Sequence, residues 1–156
     1  MKVLTPILLA ASLIAAVPAQ AQTAAPKPVY NEQADARAEL NKALAEAHAQ
    51  NKNVLVVFGA NWCKDCHALA GKMSTGTLAT HVDQRFVVLK VDVGRFDKNV
   101  DLATQMGVPL KKGIPAVAVL KNDGTMASAT SGGELADARS MGDDAVLRVF
   151  EGLKAR

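Results

Sequence analysis

The chain has 156 residues, 49% of them hydrophobic and 21% charged, with a net charge of +3. A field that weak, with no basic run and no interleaved aromatics, excludes a nucleic-acid-binding role, and the length suits one domain with its own core.

The chain opens as an export signal. Lys2 supplies the positive start, Leu4 to Val17 the apolar stretch and Ala19-Gln20-Ala21 the small-x-small cleavage pattern. Cleavage is expected near Ala21, giving a periplasmic or secreted protein. The apolar stretch is broken by Pro6 and Ser12 and falls short of the roughly 20 residues that span a bilayer. No stable membrane insertion is expected after cleavage, an uncleaved anchor being the lesser alternative. The boundaries read as 1–21 signal, 22–30 flexible Pro/Ala linker and 31–156 a single domain.

Leu40, Leu44 and Ala47 recur at helical spacing among charged residues, which predicts a helix from Asn31 to Gln50. "NVLVVFGA", Asn53 to Ala60, is a continuous valine-rich run, as in a strand buried on both faces. The next helix is expected from Cys63 to about Met73, with Ala68 and Leu69 on its apolar side and Gly71 weakening or bending it. A short helix over 76–84, a second buried strand from Arg85 to Val93 and a helix over 97–107 follow. Pro115 to Leu120 and Thr125 to Thr130 flank Asn122-Asp123-Gly124, a hairpin turn signal. A last helix carries Val146, Val149, Phe150 and Leu153 behind Asp143 and Asp144, which suit its N-terminus. The order implies an α/β fold with a central mixed β-sheet and helices on both faces.

Both cysteines lie in "WCKDCH", residues 62–67. The spacing fits a redox dithiol, and with His67 it also fits covalent haem attachment. In an oxidising compartment two cysteines form a bridge or a working pair. A bridge between residues this close restrains the unfolded chain very little, so Cys63 and Cys66 are better placed for chemistry than for stability. The thiolate is the attacking species, and a free thiol ionises only near pH 8.5. Cys63 at a helix start gains the unpaired N–H groups and positive dipole end that favour an anion. It is therefore expected to attack a substrate disulfide, and Cys66, more buried one turn later, to resolve the mixed disulfide. Lys64 should favour the Cys63 thiolate and Asp65 oppose it, which leaves the redox direction open.

"FGANWCKDC" and "KKGIPAVAVLKNDG" together resemble the two signatures of the thioredoxin-like family, in order and over roughly 31–156. The leader and the longer middle segment are most similar to exported relatives of the disulfide-isomerase or disulfide-reductase kind. The resemblance implies a thioredoxin-like fold, a cis Pro115 against the dithiol, substrate pairing with the backbone of Ile114, and Trp62 shielding the pair. It implies no cofactor beyond a redox-active Cys63–Cys66 disulfide. Its expected partners are protein thiols and disulfides, and a redox protein that recharges the dithiol.

Three positions depart from the family pattern. Val57 stands where a buried Asp normally handles the proton of the second cysteine, leaving water, Asp65 or His67 to substitute. Gly71 replaces the proline that kinks the active-site helix. The stretch Gly94 to Gly113 is longer than in a minimal relative and brings Pro109, Lys111 and Lys112 near Pro115, either for substrate choice or as a solvated loop.

Two rivals remain. A c-type haem protein would use His67 with Met73, Met106, Met126 or Met141 as second axial ligand, but the mixed α/β pattern and Gly-Ile-Pro stretch argue against it. A copper or zinc carrier would use Cys63, Cys66 and His67 with His48 or His81, neither at suitable spacing, so no metal site is expected. His67 itself reads as a solvent-facing helix residue or as a charge that tunes Cys66.

Overall fold

A computed structural model describes residues 28–153. The signal segment, its cleavage point and most of the linker fall outside the described residues. Helix α1 spans Ala36–Gln50 and starts five residues later than the apolar spacing suggests. Asp35 is the reason: its carboxylate accepts from the N–H groups of Arg37 and Ala38 and caps the helix there. Residues 31–34 instead form a turn closed by Ala34 N–H on the Asn31 carbonyl.

Strand β1 is Asn53–Gly59, buried from Val54 onward. It pairs in parallel with β2, Phe86–Asp92, and antiparallel with β3, Ala116–Leu120. Strand β4, Met126–Ala129, closes the sheet in the order β2-β1-β3-β4. In the β3–β4 turn, the Asp123 carboxylate accepts from Thr125 N–H and Oγ1–H, so the hairpin reading of Asn122-Asp123-Gly124 holds.

The sheet is covered on both faces because β1 is apolar on both. Val54, Val56 and Phe58 pack with Ala43 and Ala47 of α1 and with Leu102 and Ala103 of α4, Val100–Gln105. Leu55 and Val57 pack on the other side with Leu69, Leu78, Val82, Val146 and Phe150. These come from α2 (Lys64–Lys72), α3 (Gly76–Arg85) and α5 (Asp143–Gly152).

Three elements are shorter or differently ended than their patterns predict. α4 begins only at Val100 because Phe96 and Asn99 adopt positive φ, 66° and 51°, which breaks a helix. α2 stops at Lys72, so Gly71 lies at its end instead of bending it. Asp143 and Asp144 lie in the first turn of α5, but the cap position is Gly142 and neither carboxylate caps it. Asp143 bonds Lys72 at 2.8 Å and so ties α5 to α2.

Residues 131–142 carry no helix or strand pattern, yet they belong to the core. Leu135 and Ala138 are fully buried beneath α2, α3 and α5. The Glu134 carboxylate accepts from the N–H groups of Ser131 and Gly132, each at 3.0 Å, which shapes the turn around Leu135. Leu135→Ala should lower the unfolding free energy by about 2–5 kcal/mol through the cavity it leaves. Urea unfolding checks this against Met126→Ala, an exposed site where a change within about 0.5 kcal/mol is expected.

Candidate active site

β1 ends at Gly59, and the chain turns through residues 60–62 to Cys63, the N-cap of α2 with φ −83° and ψ 108°. The helix thus begins at Lys64, and the first cysteine stands just outside it. Cys66 N–H donates to Cys63 Sγ at 3.1 Å, using one of the N–H groups a helix start leaves unpaired. One turn of helix brings the second sulfur to the first, and the two are disulfide-bonded with Cα atoms 5.2 Å apart.

Cys66 is completely buried and Cys63 is 5% exposed. The order of burial is the one expected, but Cys63 is more covered than a freely exposed nucleophile. Part of that cover is the Ile114 carbonyl oxygen, 3.6 Å from Cys63 Sγ. The Ile114–Pro115 bond is cis, and both residues are buried between the loop after α4 and β3. Ahead of them Gly113, at φ 116°, has no room for a side chain, since a Cβ there would stand 2.6 Å from Ala136 Cβ.

Trp62 is 48% exposed beside the disulfide. Its indole N–H donates to the Gly94 carbonyl at 2.7 Å, and its ring meets Phe96 edge-on at 5.9 Å. The start of the long 94–113 stretch is therefore fastened to the dithiol. Phe96 and Val100, both exposed, join Leu110, Lys111 and Gly113 around a shallow groove of about 410 Å³. Sequence reasoning placed Pro109, Lys111 and Lys112 near Pro115, and of these Lys111 lines the groove, but it missed Phe96, whose φ is 66°.

The residues flanking the cysteines separate into different roles. Lys64 is exposed. Asp65 Oδ1 accepts from Arg139 N–H at 3.0 Å, which fixes the 131–142 segment to α2. His67 Nε2 lies 2.7 Å from the Asn61 carbonyl and is half-buried, not solvent-facing. Val57, where the family's carboxylate is missing, is itself buried.

The largest departure from expectation is the end of the linker. Asn61 Oδ1 accepts from the N–H groups of Val29 and Tyr30, both at 2.9 Å, and its Nδ2 donates to the Tyr30 carbonyl. Pinned this way, Tyr30 is only 2% exposed and packs into the core cluster that holds both cysteines. It enters because the strand residue beneath it is glycine: a Cβ on Gly59 would collide with the Tyr30 hydroxyl and lie 2.9 Å from Cys66 Sγ. Burial, and then the charge of Asp92, push the Tyr30 hydroxyl well above its ordinary pKa. The signals in the sequence were slight, a lone tyrosine after two prolines and one acid inside a buried strand.

Among the described residues, no group of three or more His, Cys, Asp or Glu side chains is arranged to hold a metal, and no helix is long and apolar enough to cross a membrane.

The chain matches the family model described as thioredoxin-like over residues 35–122. The thioredoxin of Buchnera aphidicola subsp. Baizongia pistaciae is 34% identical over 89 residues, which cover 55% of this chain and 74% of that one. The chain belongs to the thioredoxin-like family, and its fold and disulfide are those of a thiol:disulfide oxidoreductase. Among solved structures it is similar to the disulphide isomerase from Xylella fastidiosa Temecula1, with 42% identity, a TM-score of 0.78 and coverage of 83% of this chain and 98% of that one. The oxidised C-terminal domain of Neisseria meningitidis DsbD shares the fold at 23% identity, with a TM-score of 0.54 over 76% of this chain and 96% of its own.

Tyr30 is the chain's only tyrosine, so its ionisation can be followed directly by ultraviolet absorbance. The phenolate signal should be absent at pH values where a free tyrosine, with its pKa of about 10, has ionised. Because the folded-state pKa is raised, the stability Tyr30 contributes is complete below about pH 10 and is lost as the pH climbs from there through the folded-state value. Urea unfolding across this range should show that decline in the parent chain and not in Tyr30→Phe.

Proposed function

We propose that this protein is exported and that it reduces or isomerises disulfides in other proteins, with Cys63 as the nucleophile and Cys66 as the resolving thiol. The observation that carries this reading is the N–H group of Cys66 directed at Cys63 Sγ at the start of α2. The same N–H and the helix dipole favour a thiolate on Cys63 once the bridge is reduced. Cys63, the less buried sulfur, attacks a substrate disulfide, and one substrate sulfur leaves as thiolate. Cys66, as thiolate, then attacks Cys63 Sγ, re-forms the intramolecular bridge and releases the second substrate sulfur. Run backwards, the same exchange introduces a disulfide.

The surroundings suit a polypeptide substrate. An extended segment laid against Ile114 and Pro115 finds main-chain partners there, while Trp62, Phe96 and Val100 offer apolar contact on one side. Isomerisation draws support from the relative described as a disulphide isomerase, 42% identical over 83% of this chain. Export draws its support from the leader, Lys2 through Ala21. The dithiol serves as the redox centre without haem or metal. His67, the ligand either would need, has its Nε2 engaged with the Asn61 carbonyl in the folded domain.

The test is the Cys63/Cys66 reduction potential, measured by equilibration with glutathione. A value near the roughly −180 mV of protein disulfide isomerase is expected, whereas one near the roughly −270 mV of thioredoxin would make the protein a dedicated reductase. Cys66→Ser should accumulate a reducible covalent adduct with a disulfide-containing test protein, and Cys63→Ser should form none. An active Cys63→Ser variant would overturn the assignment of roles.

A further inference from the structure

The resolving step needs a base at the buried side of Cys66. At zero exposure its thiol has no water to ionise into, and burial in an apolar setting disfavours the thiolate. The structure places two groups at that spot. The position a Cβ would take on Gly59 is contested by the Tyr30 hydroxyl and by Cys66 Sγ together, so the hydroxyl and the sulfur flank one point. Gly59 is also the register partner of Asp92 on the neighbouring parallel strand. Side chains paired across two strands share one face of the sheet, so Asp92 lies on the face that carries this point, and its charge is felt at the Tyr30 hydroxyl.

Asp92 is an unusual residue to find there. It is 5% exposed, and its Oδ2 is buried without a hydrogen-bond partner among the described residues. A buried carboxylate oxygen without a hydrogen bond is costly. Besides the cysteines, the charged and titratable groups facing this point are few. Tyr30 comes from the N-terminal segment and Asp92 from β2. Lys98, in the following loop, has its Nζ 3.6 Å from Asp92 Oδ2. Lys90 lies one pleat back on β2, its pKa lowered by burial. His67 flanks the site on α2, held by Asn61.

We infer that Asp92, acting through the Tyr30 hydroxyl, is the proton acceptor for Cys66. This rests on the reading of Cys66 as the resolving thiol. In the mixed disulfide, the Cys66 S–H proton passes to the Tyr30 oxygen as the Tyr30 hydroxyl proton passes to the Asp92 carboxylate. Tyr30 ends neutral, Asp92 protonated and Cys66 a thiolate. The thiolate attacks Cys63 Sγ, the Cys63–Cys66 bond forms as the Cys63–substrate bond breaks, and the electron pair leaves on the substrate sulfur, which takes a proton from water. Asp92 returns its proton to solvent on the Lys98 side, where that side chain is 46% exposed. In this relay Tyr30 stands between the sulfur and the carboxylate, and Asp92 is a positioning and proton-holding residue behind it.

The test uses the reduced full-length mature protein and the aromatic disulfide dithiobis(nitrobenzoate), which releases one coloured thiolate when Cys63 attacks and a second when Cys66 resolves. Both phases are followed against pH for the parent, Tyr30→Phe and Asp92→Asn. In each variant the first phase should be unchanged, and the second should slow by about 10²-fold at pH 7 and recover as the pH rises toward the ionisation of Cys66 itself. A purely structural role would not give this pH-dependent recovery in one phase alone. Tyr30→Phe keeps the ring that fills the space over Gly59, so it separates proton transfer from packing even if Asp92→Asn folds poorly. A second phase with the parent's pH profile in Tyr30→Phe overturns the inference while leaving the dithiol reading intact. Absence of a mixed disulfide in the parent would overturn both.

Discussion

Strand β1 has to stop where it does. It runs through the middle of the sheet with both faces buried, so the chain cannot leave the core until the strand ends at Gly59. The turn after Gly59 delivers Cys63 to the first N–H groups of α2 and leaves Cys66 one turn deeper. A buried strand feeding directly into a helix start thus creates the electrostatic setting a thiolate needs. The remaining parts of the site are arranged around that junction.

Glycine at the end of β1 has a second effect. It leaves space on the sheet for a side chain from elsewhere, and Tyr30 takes that space, held by the hydrogen bonds Asn61 makes to Val29 and Tyr30. Asn61 belongs to the same turn that presents the cysteines, and its own carbonyl holds His67. One short turn therefore anchors the N-terminal segment, orients the imidazole beside α2 and positions the dithiol. The hydroxyl of Tyr30, a residue distant in sequence, comes to the same point over Gly59 as Cys66 Sγ.

The mouth of the site is built from two loops that share no sequence motif. The 94–113 stretch is fastened by Trp62 to Gly94 and presents Phe96 and Val100. The 131–142 segment is fastened by Asp65 to Arg139 and presses Ala136 toward Gly113, just ahead of Ile114 and Pro115. Residues of the active-site helix and its approach thus hold both loops. Asp65, which sequence reasoning set against the thiolate as a charge, acts in the fold as a hydrogen-bond acceptor for a distant backbone.

Most of the fold was legible because it depends on local patterns. The valine runs of β1 and β2, the hairpin turn at Asp123 and the apolar spacing of α1 and α5 each carry their own signal, and the dithiol was evident from the spacing of Cys63 and Cys66 with Gly-Ile-Pro downstream. Helix ends were less legible, since Asp35 competes as a cap and Asn99 as a left-handed residue within stretches whose periodicity runs on. The core role of Leu135 was hidden because turns have no period. By itself, then, the sequence determined the elements, their order and the two sulfurs, all of which rest on residues close together in the chain. Only the tertiary structure decided that Tyr30, Gly59, Cys66 and Asp92 meet, because strand register and the pinning of a distant segment, not sequence spacing, bring those groups to one buried point.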